Sequence, residues 1–277
     1  MALFIQTNTA SMEAQRNLGY NQAQLQLSFN RLSSGFRINS AKDDAAGLAI
    51  SENLKSQIRS FTVAERNAGD GISMAQTAEG SLGEVHNILG RMRELAVQAA
   101  NGSLTSTDRG FLQTEFSSLQ SEISRIQGSA KFNGRQLVAT TASTITLQVG
   151  LDALSSDQIQ VTLGGVSLAT ITGTSAAVSG TTASSALASL AVIDAAISSV
   201  STARSSFGAA MNRLEVAQSN IQTMRLNLSA ANSRIRDVDV ASETAQMSRN
   251  QVLAQAGLSV LAQANQLPQL ALGLLRQ

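Results

Sequence analysis

The sequence contains no cysteine and no tryptophan, and it has one proline and one tyrosine among 277 residues. Without cysteine the chain can form neither a disulfide nor a thiolate metal site. Aromatic residues make up only 3% of the chain and charged residues 14%, whereas charged residues average about 25% in globular proteins. A large aromatic core is therefore not expected, and the scarcity of proline favours long uninterrupted helices.

Neither sign of charge is in excess, because the chain has 20 basic and 19 acidic residues and a formal net charge of +1. No Lys or Arg occurs between Arg135 and Arg204, so the chain lacks the basic patch expected of a protein that binds nucleic acid. The amino end, MALFIQTNTA, has no basic region, and we expect no cleaved signal peptide of the usual kind. Apolar stretches are short or interrupted by Gln, Asn and Gly, so no membrane partner is expected.

The residue types and spacings that catalysis requires are not found. His86 is the only histidine, so a triad or a metal cluster would have to use carboxylates alone as its partners. The pairs Asp43 and Asp44, and Asp237 and Asp239, are explained more simply as turn, cap or salt-bridge residues. No glycine-rich phosphate loop follows a predicted strand. The sequence therefore predicts a protein that is not an enzyme and holds no cofactor or metal.

Helical periodicity dominates the first half of the chain. Leucines near the amino end recur at intervals of seven, the spacing of a coiled-coil seam, at Leu18, Leu25 and Leu32, which predicts a first helix. A second helix is predicted over residues 50–96, and a third over 112–126 with Ser106 or Thr107 as its cap.

The middle of the chain has a different pattern. KFNGRQL contains an Asn-Gly turn, and TITLQVG and IQVTLGGV alternate apolar with polar residues. These features predict one or two β-hairpins. Residues 172–184 are Gly, Ser, Thr, Ala and Val without a charge, which predicts a mobile linker that cannot bury enough apolar surface to become ordered.

Helical spacing then returns from Leu187 onward and continues into the tail. If the chain folds back along itself, the amino-terminal and carboxy-terminal seams meet as antiparallel partners. Leucines off the seam, such as Leu258 and Leu261, need further partners, which a small bundle within one chain or an assembly of several chains could supply. The tail seam itself consists of residues at intervals of seven, Leu253, Val260, Leu267 and Leu274.

Several separated motifs resemble bacterial flagellin, over roughly residues 1–140 and 185–277. They are, in order, RLSSGFRINSAKDDAAGLAIS at 31–51, RMRELAVQAANGS at 91–103, FNGRQL at 132–137, SRIRDVDVASE at 233–243 and LAQANQLPQLALGLLR at 261–276.

The resemblance implies a mainly α fold, an elongated rod of long antiparallel helices with a small central β-hairpin region. Residues 1–42 with 235–277 would form a terminal coiled-coil core domain and residues 43–130 with 185–234 a helical rod domain. Residues 131–184 would form the β-hairpin and a short variable surface region. The seam residues expected to pack between subunits are Leu18, Leu25, Leu32, Leu253, Val260, Leu267 and Leu274.

The resemblance also implies a function. The chain would be exported unfolded through the flagellar secretion channel and would polymerise outside the cell into the helical filament used for motility. Expected partners are many copies of the chain itself, the flagellar cap and hook-associated proteins, and an export chaperone at the carboxy-terminal region. The alternatives are a hook-filament junction protein and a secreted coiled-coil effector.

One further surface follows from the resemblance. In flagellins that activate the innate immune receptor TLR5, the helix that holds RMRELAVQ and the next helix form the main contact surface. The matching residues could instead contact neighbouring subunits, and the two interpretations are compatible. The residues concerned are Arg91, Leu95, Gln98 and Glu115.

Overall fold

The computed structural model describes residues 7–173, 176–180 and 183–275, with 267–275 described by their backbone alone. In this part of the chain the fold is mainly α with small antiparallel hairpins, as predicted. The helices are α1 (Thr9–Ser34), α2 (Ala45–Ala99), α3 (Ser106–Ser129), α4 (Ala169–Thr172), α5 (Ser184–Arg236) and α6 (Val240–Leu275). The strands are β1 (Lys131–Phe132), β2 (Arg135–Gln136), β3 (Ser143–Gln148) and β4 (Gln158–Leu163).

Side-chain caps fix where the first and third helices begin. The side chain of Asn8 accepts a hydrogen bond from the backbone N–H of Ser11 at the start of α1. At α3 the cap is Thr105, whose side chain and that of Asp108 form a reciprocal capping box. The predicted cap at Ser106 or Thr107 is therefore wrong, because only Thr105 has a carboxylate three residues later to complete the box.

The chain forms two compact units. The central unit is Gln57–Leu226, and the residues up to Ser56 together with those from Asn227 onward form the terminal unit. Within the central unit, salt bridges between Glu79 and Arg204 and between Glu65 and Arg225, each 2.6 Å long, link α2 to α5. Large buried side chains of this unit come from α2, α3 and α5, and others come from the β3–β4 hairpin and the segments beside it. Those on the three helices include Leu82, Leu89, Met92, Phe116, Ile123, Ile193, Val200, Phe207 and Leu214.

In the terminal unit, α1 and α6 pack side by side and antiparallel, as predicted. Asn8 Nδ2 donates to the carbonyl oxygen of Ala264 at 2.8 Å, near the start of α1. At the other end of α1, Arg31 lies 3.5 Å from the carboxylate of Glu243. The helical run does not continue unbroken into the tail, because α5 ends at Arg236 and α6 begins at Val240.

The two connectors of the terminal unit are paired with each other. Phe36 and Asp237 form an isolated antiparallel bridge. The N–H of Arg37 donates to Arg236 O at 2.7 Å, and the N–H of Val238 donates to Gly35 O at 3.0 Å. Gly35 has a positive φ of 74°, a conformation that a glycine adopts without steric cost. The ends of α1 and α5 are thereby held together by main-chain hydrogen bonds.

The predicted hairpins are present in the middle of the chain. β1 and β2 pair across the Asn133-Gly134 turn. β3 and β4 are antiparallel, with Ser143 opposite Leu163 at one end of the ladder and Gln148 opposite Gln158 at the other. The prediction of a mobile linker is wrong for residues 176–180, which we call the strap. Val178 in the strap is fully buried, and side chains from α3 and α5 bind its backbone.

Helix α5 contains a long apolar stretch, although the sequence predicts apolar stretches too short or interrupted to cross a membrane. A window within α5 is long and apolar enough, by length and composition, to cross a membrane, with a mean hydropathy of 1.6. The window is 28% buried inside the protein. The early part of α5 contributes Ile193 and Val200 to the core of the central unit, and core helices of this composition pass the same test. A single such helix is weak evidence for a membrane span.

Candidate assembly surface

The face of α1 that packs on α6 combines leucines with small polar residues. Leu18, Leu25 and Leu32 are half-buried on this face, at the positions predicted for the seam. Ser11 and Ser28 occupy other positions of the same face and are buried. Serine is smaller and more polar than the residues that usually fill a coiled-coil seam, so this seam gains less from burial than a leucine seam does.

The face of α6 that packs on α1 also consists mostly of small and polar residues, with Met247 and Leu261 as its large apolar members. Gly257 lies opposite Leu18, and a Cβ added to this glycine would be 3.5 Å from Leu18 Cδ1. Asn250 is buried, and its Nδ2 has no hydrogen-bond partner within the described part of the chain. The buried and half-buried positions recur in steps of three and four, at Glu243, Met247, Asn250, Ala254, Gly257, Leu261 and Ala264.

The two described side chains of the seam predicted for the tail, Leu253 and Val260, do not face α1. Leu253 is 45% exposed and Val260 is 55% exposed. At 3.6 residues per turn both lie roughly a quarter turn from the middle of the α1-facing side. The prediction that the two seams meet is therefore wrong. Small residues such as Ala254, Gly257 and Ala264 allow α1 and α6 to approach closely, and Leu253 and Val260 are left on a flank of α6.

The opposite flank of α6 also carries an apolar residue, Leu258, which is exposed. The side chains of Leu267 and Leu274, the last two predicted seam residues, lie outside the described residues. Further large apolar side chains are exposed elsewhere in the terminal unit, namely Met12, Tyr20, Phe29, Ile50, Val240 and Val252. This much exposed apolar surface within the terminal unit is typical of a protein–protein interface.

The second predicted surface lies in the central unit. Arg91 on α2 forms salt bridges of 2.8 Å with Glu115 on α3 and with Glu94. The hydrogen bond to Glu115 is the main cause that raises the pKa of Arg91 above its usual value. Gln98 is exposed. Leu95 is only 1% exposed, so the expectation that its side chain lies on this surface is wrong: the leucine is buried beneath it.

The spacing of large apolar residues does not identify Ser28, Asn250 and Gly257 as seam residues. A signal for them is present in the sequence, since each is in step with the three-and-four spacing of its helix. His86 is half-buried on α2. No group of three or more metal-ligating side chains occurs among the residues that the structure describes.

Comparisons with known proteins identify the same family at both ends of the chain and over its full length. Residues 5–143 match the family model of the bacterial flagellin N-terminal helical region, and residues 190–275 match that of the C-terminal helical region. A flagellin of Halalkalibacterium halodurans is 47% identical over 274 residues, which cover 99% of this chain and 100% of the relative. A flagellin of Bacillus subtilis is 40% identical over 302 aligned residues, covering 98% of this chain and 99% of the relative.

A solved structure described as a flagellar hook-associated protein from Vibrio parahaemolyticus matches with a TM-score of 0.58. It covers 70% of this chain and 100% of that chain, at 16% identity. At this identity the match shows a shared fold alone.

Proposed function

Because the chain belongs to the bacterial flagellin family and is a structural subunit of the flagellar filament, we propose that subunits join through the exposed flanks of α6. The observation that carries this proposal is the exposure of Leu253 and Val260, which stay uncovered when α1 and α6 are paired. The proposed intersubunit core comprises Leu253, Val260, Leu267 and Leu274, together with Leu18, Leu25 and Leu32, whose half-buried side chains on the α6-facing side of α1 would be covered further by a neighbouring subunit.

The energetics support assembly through these residues. Full burial of a Leu or Val side chain stabilises by about 1.5–3 kcal/mol, so the half-exposed Leu253 and Val260 would each contribute about 1 kcal/mol on association. The contribution is repeated at every subunit. A contact between two different surfaces of the same molecule generates an open helical polymer when the rotation between subunits does not close into a ring.

The proposal extends to organisation and partners. Residues 1–42 with 235–277 would form the inner coiled-coil domain of the filament, residues 43–130 with 185–234 the rod domain, and residues 131–184 the outer region. The flagellar cap, hook-associated proteins and an export chaperone that binds the carboxy-terminal region are the further partners. Export would proceed unfolded through the flagellar channel without a cleaved signal peptide, and the protein would act outside the cell.

A second binding role is proposed for the surface around Arg91. Its ion pair with Glu115 joins α2 to α3, and Gln98 is exposed on the same helix as Arg91. Arginine is enriched among residues that dominate binding energy at interfaces. TLR5 is the proposed partner of the free monomer at Arg91, Gln98 and Glu115, and a neighbouring subunit is the alternative partner in the filament.

The assembly proposal is tested by changing Val260 to Asp. An unpaired charge at an apolar contact costs several kcal/mol, and we expect no filaments by electron microscopy while the melting temperature of the central unit is unchanged. Val260→Leu keeps the site apolar and should assemble. Ser179→Asp adds the same charge to an exposed residue of the strap and should assemble as well. Normal filaments from Val260→Asp would overturn the proposed interface.

A further inference from the structure

The loop between α2 and α3 contains an Asn-Gly pair whose surroundings are unlike those of an ordinary turn. Asn101, Gly102 and Ser103 are exposed to water. A Cβ added to Gly102 would meet nothing within 4 Å, so the space around the Asn101–Gly102 peptide is open. The loop is nevertheless held firmly, because the side chain of Arg109 is 3% exposed and its Nε donates to Ala99 O at 2.9 Å.

Hydrogen bonds act on both groups that would react if the asparagine side chain closed onto the backbone. Arg109 Nη2 donates to the backbone oxygen of Asn101 at 3.0 Å, and Leu104 N–H donates to the same oxygen at 3.3 Å. The peptide is a resonance system, so a cationic donor at this oxygen withdraws electrons from the Gly102 nitrogen and makes its N–H more acidic. Ser103 N–H donates to Asn101 Oδ1 at 3.1 Å, which polarises the side-chain carbonyl toward nucleophilic attack.

We infer that Asn101 is a site of self-catalysed deamidation. The Gly102 amide loses its proton to water or hydroxide, and its nitrogen forms a bond to Asn101 Cγ. The tetrahedral intermediate carries its negative charge on Oδ1, where Ser103 N–H donates. The Cγ–Nδ2 bond then breaks, and ammonia leaves with one added proton. Water opens the resulting succinimide to aspartate or isoaspartate, so the net reaction consumes one water and releases one ammonia.

A second Asn-Gly pair in the same chain serves as a natural comparison. Asn133 and Gly134 form the turn between β1 and β2, with positive φ angles of 47° and 79°. Two positive φ angles are the mark of a type I′ hairpin turn, and the flanking residues Phe132 and Arg135 are paired. Ring closure there would have to open the turn. In the described part of the chain no comparable set of hydrogen bonds converges on Asn133.

The experiment compares both sites in the folded chain and in two synthetic peptides, one covering residues 96–108 and one covering 128–139. All are incubated in the same mildly alkaline buffer, and conversion is followed by mass spectrometry with separation of aspartate and isoaspartate. We expect Asn101 to convert roughly three- to tenfold faster in the folded chain than in its peptide, a modest effect for an oxyanion donor because the loop is open to water. Asn133 should convert more slowly in the folded chain than in its peptide.

Gly102→Ala is the matched variant, since the added methyl group has room in the fold but hinders attack by the nitrogen. Its melting curve should be unchanged and its conversion at Asn101 greatly slowed. Slower conversion of Asn101 in the folded chain than in its peptide would overturn the inference. So would equal rates at Asn101 and Asn133 in the folded chain, because the dipeptide alone would then set the rate.

Discussion

At the scale of single residues, polar side chains hold the strap through its backbone. Gln113 Oε1 accepts from the N–H groups of Val178 and Ser179 at 2.7 and 3.0 Å. Gln120 Nε2 donates to Ile171 O and Ala176 O. Ser189 Oγ both accepts from Ala177 N–H and donates to Ala177 O. Composition could not predict this, because a Gly, Ser, Thr and Ala segment becomes ordered only when distant side chains satisfy its backbone.

The two glutamines should differ in their response to the same substitution. Gln113 binds the strap as an acceptor and Gln120 as a donor. Gln113→Glu keeps an acceptor for Val178 and Ser179, and we expect a near-neutral effect. Gln120→Glu removes the donor and turns a carboxylate toward three carbonyl oxygens, those of Ile171, Gly173 and Ala176, which should destabilise the fold by about 1–3 kcal/mol. Thermal unfolding of the two variants measures the difference, and equal melting temperatures would show that the strap is not held by these amides.

The capping box of α3 gives a prediction on pH. The hydrogen bond from the Thr105 hydroxyl is the main cause that lowers the pKa of Asp108 below its ordinary value of 3.8. A lowered pKa in the folded state means that the stabilisation is fully present above the ordinary pKa and is lost as the pH falls through the lowered one. Asp108→Asn should therefore be destabilised relative to the parent at neutral pH, and the difference should shrink below the ordinary pKa.

The variants Thr105→Ala and Thr107→Ala form a matched pair that tests the cap of α3. Loss of an N-cap costs about 1 kcal/mol, so Thr105→Ala should lower the melting temperature. Thr107 is exposed inside the first turn of α3, and its replacement by alanine should leave stability unchanged or slightly increased. A capping contribution from Asp108 that persists unchanged in strong acid would contradict the assigned role.

At the scale of helices and strands, hydrophobic periodicity predicted the elements whose packing depends on large apolar residues. Helices α2 and α3 and the hairpins follow from such residues, as does the antiparallel pairing of α1 with α6. The face of α6 that meets α1 could not be predicted from its leucines. Close packing there selects Ala254, Gly257 and Ala264, while Leu253 and Val260 remain exposed. When a chain is part of an assembly, the most apolar stripe of a helix can pack against a neighbouring subunit instead of against its own chain.

At the scale of the whole molecule, the two units differ in what holds them together. The central unit has fully buried large side chains such as Leu82, Phe116 and Phe207. The described seam of the terminal unit has Ser28 and an unpartnered Asn250 at buried positions. Helices that lack a well-packed apolar face are marginal in water, so α1 and α6 should depend on neighbouring subunits for much of their stability.

Limited proteolysis of dilute monomer and of assembled filament tests this dependence. We expect protease to remove α1 and α6 from the monomer and to leave a resistant fragment close to Gln57–Leu226, whereas the filament should protect both helices. Asn250→Leu replaces a buried amide, whose Nδ2 has no hydrogen-bond partner among the described residues, with an apolar side chain of similar size. This change should strengthen the α1–α6 pair by about 1–3 kcal/mol and slow trimming of the monomer. Gln251→Leu, at the exposed neighbouring position, should not. If the parent monomer resisted protease as uniformly as the filament does, the polar seam would be strong enough alone, and assembly would not be what stabilises the terminal helices.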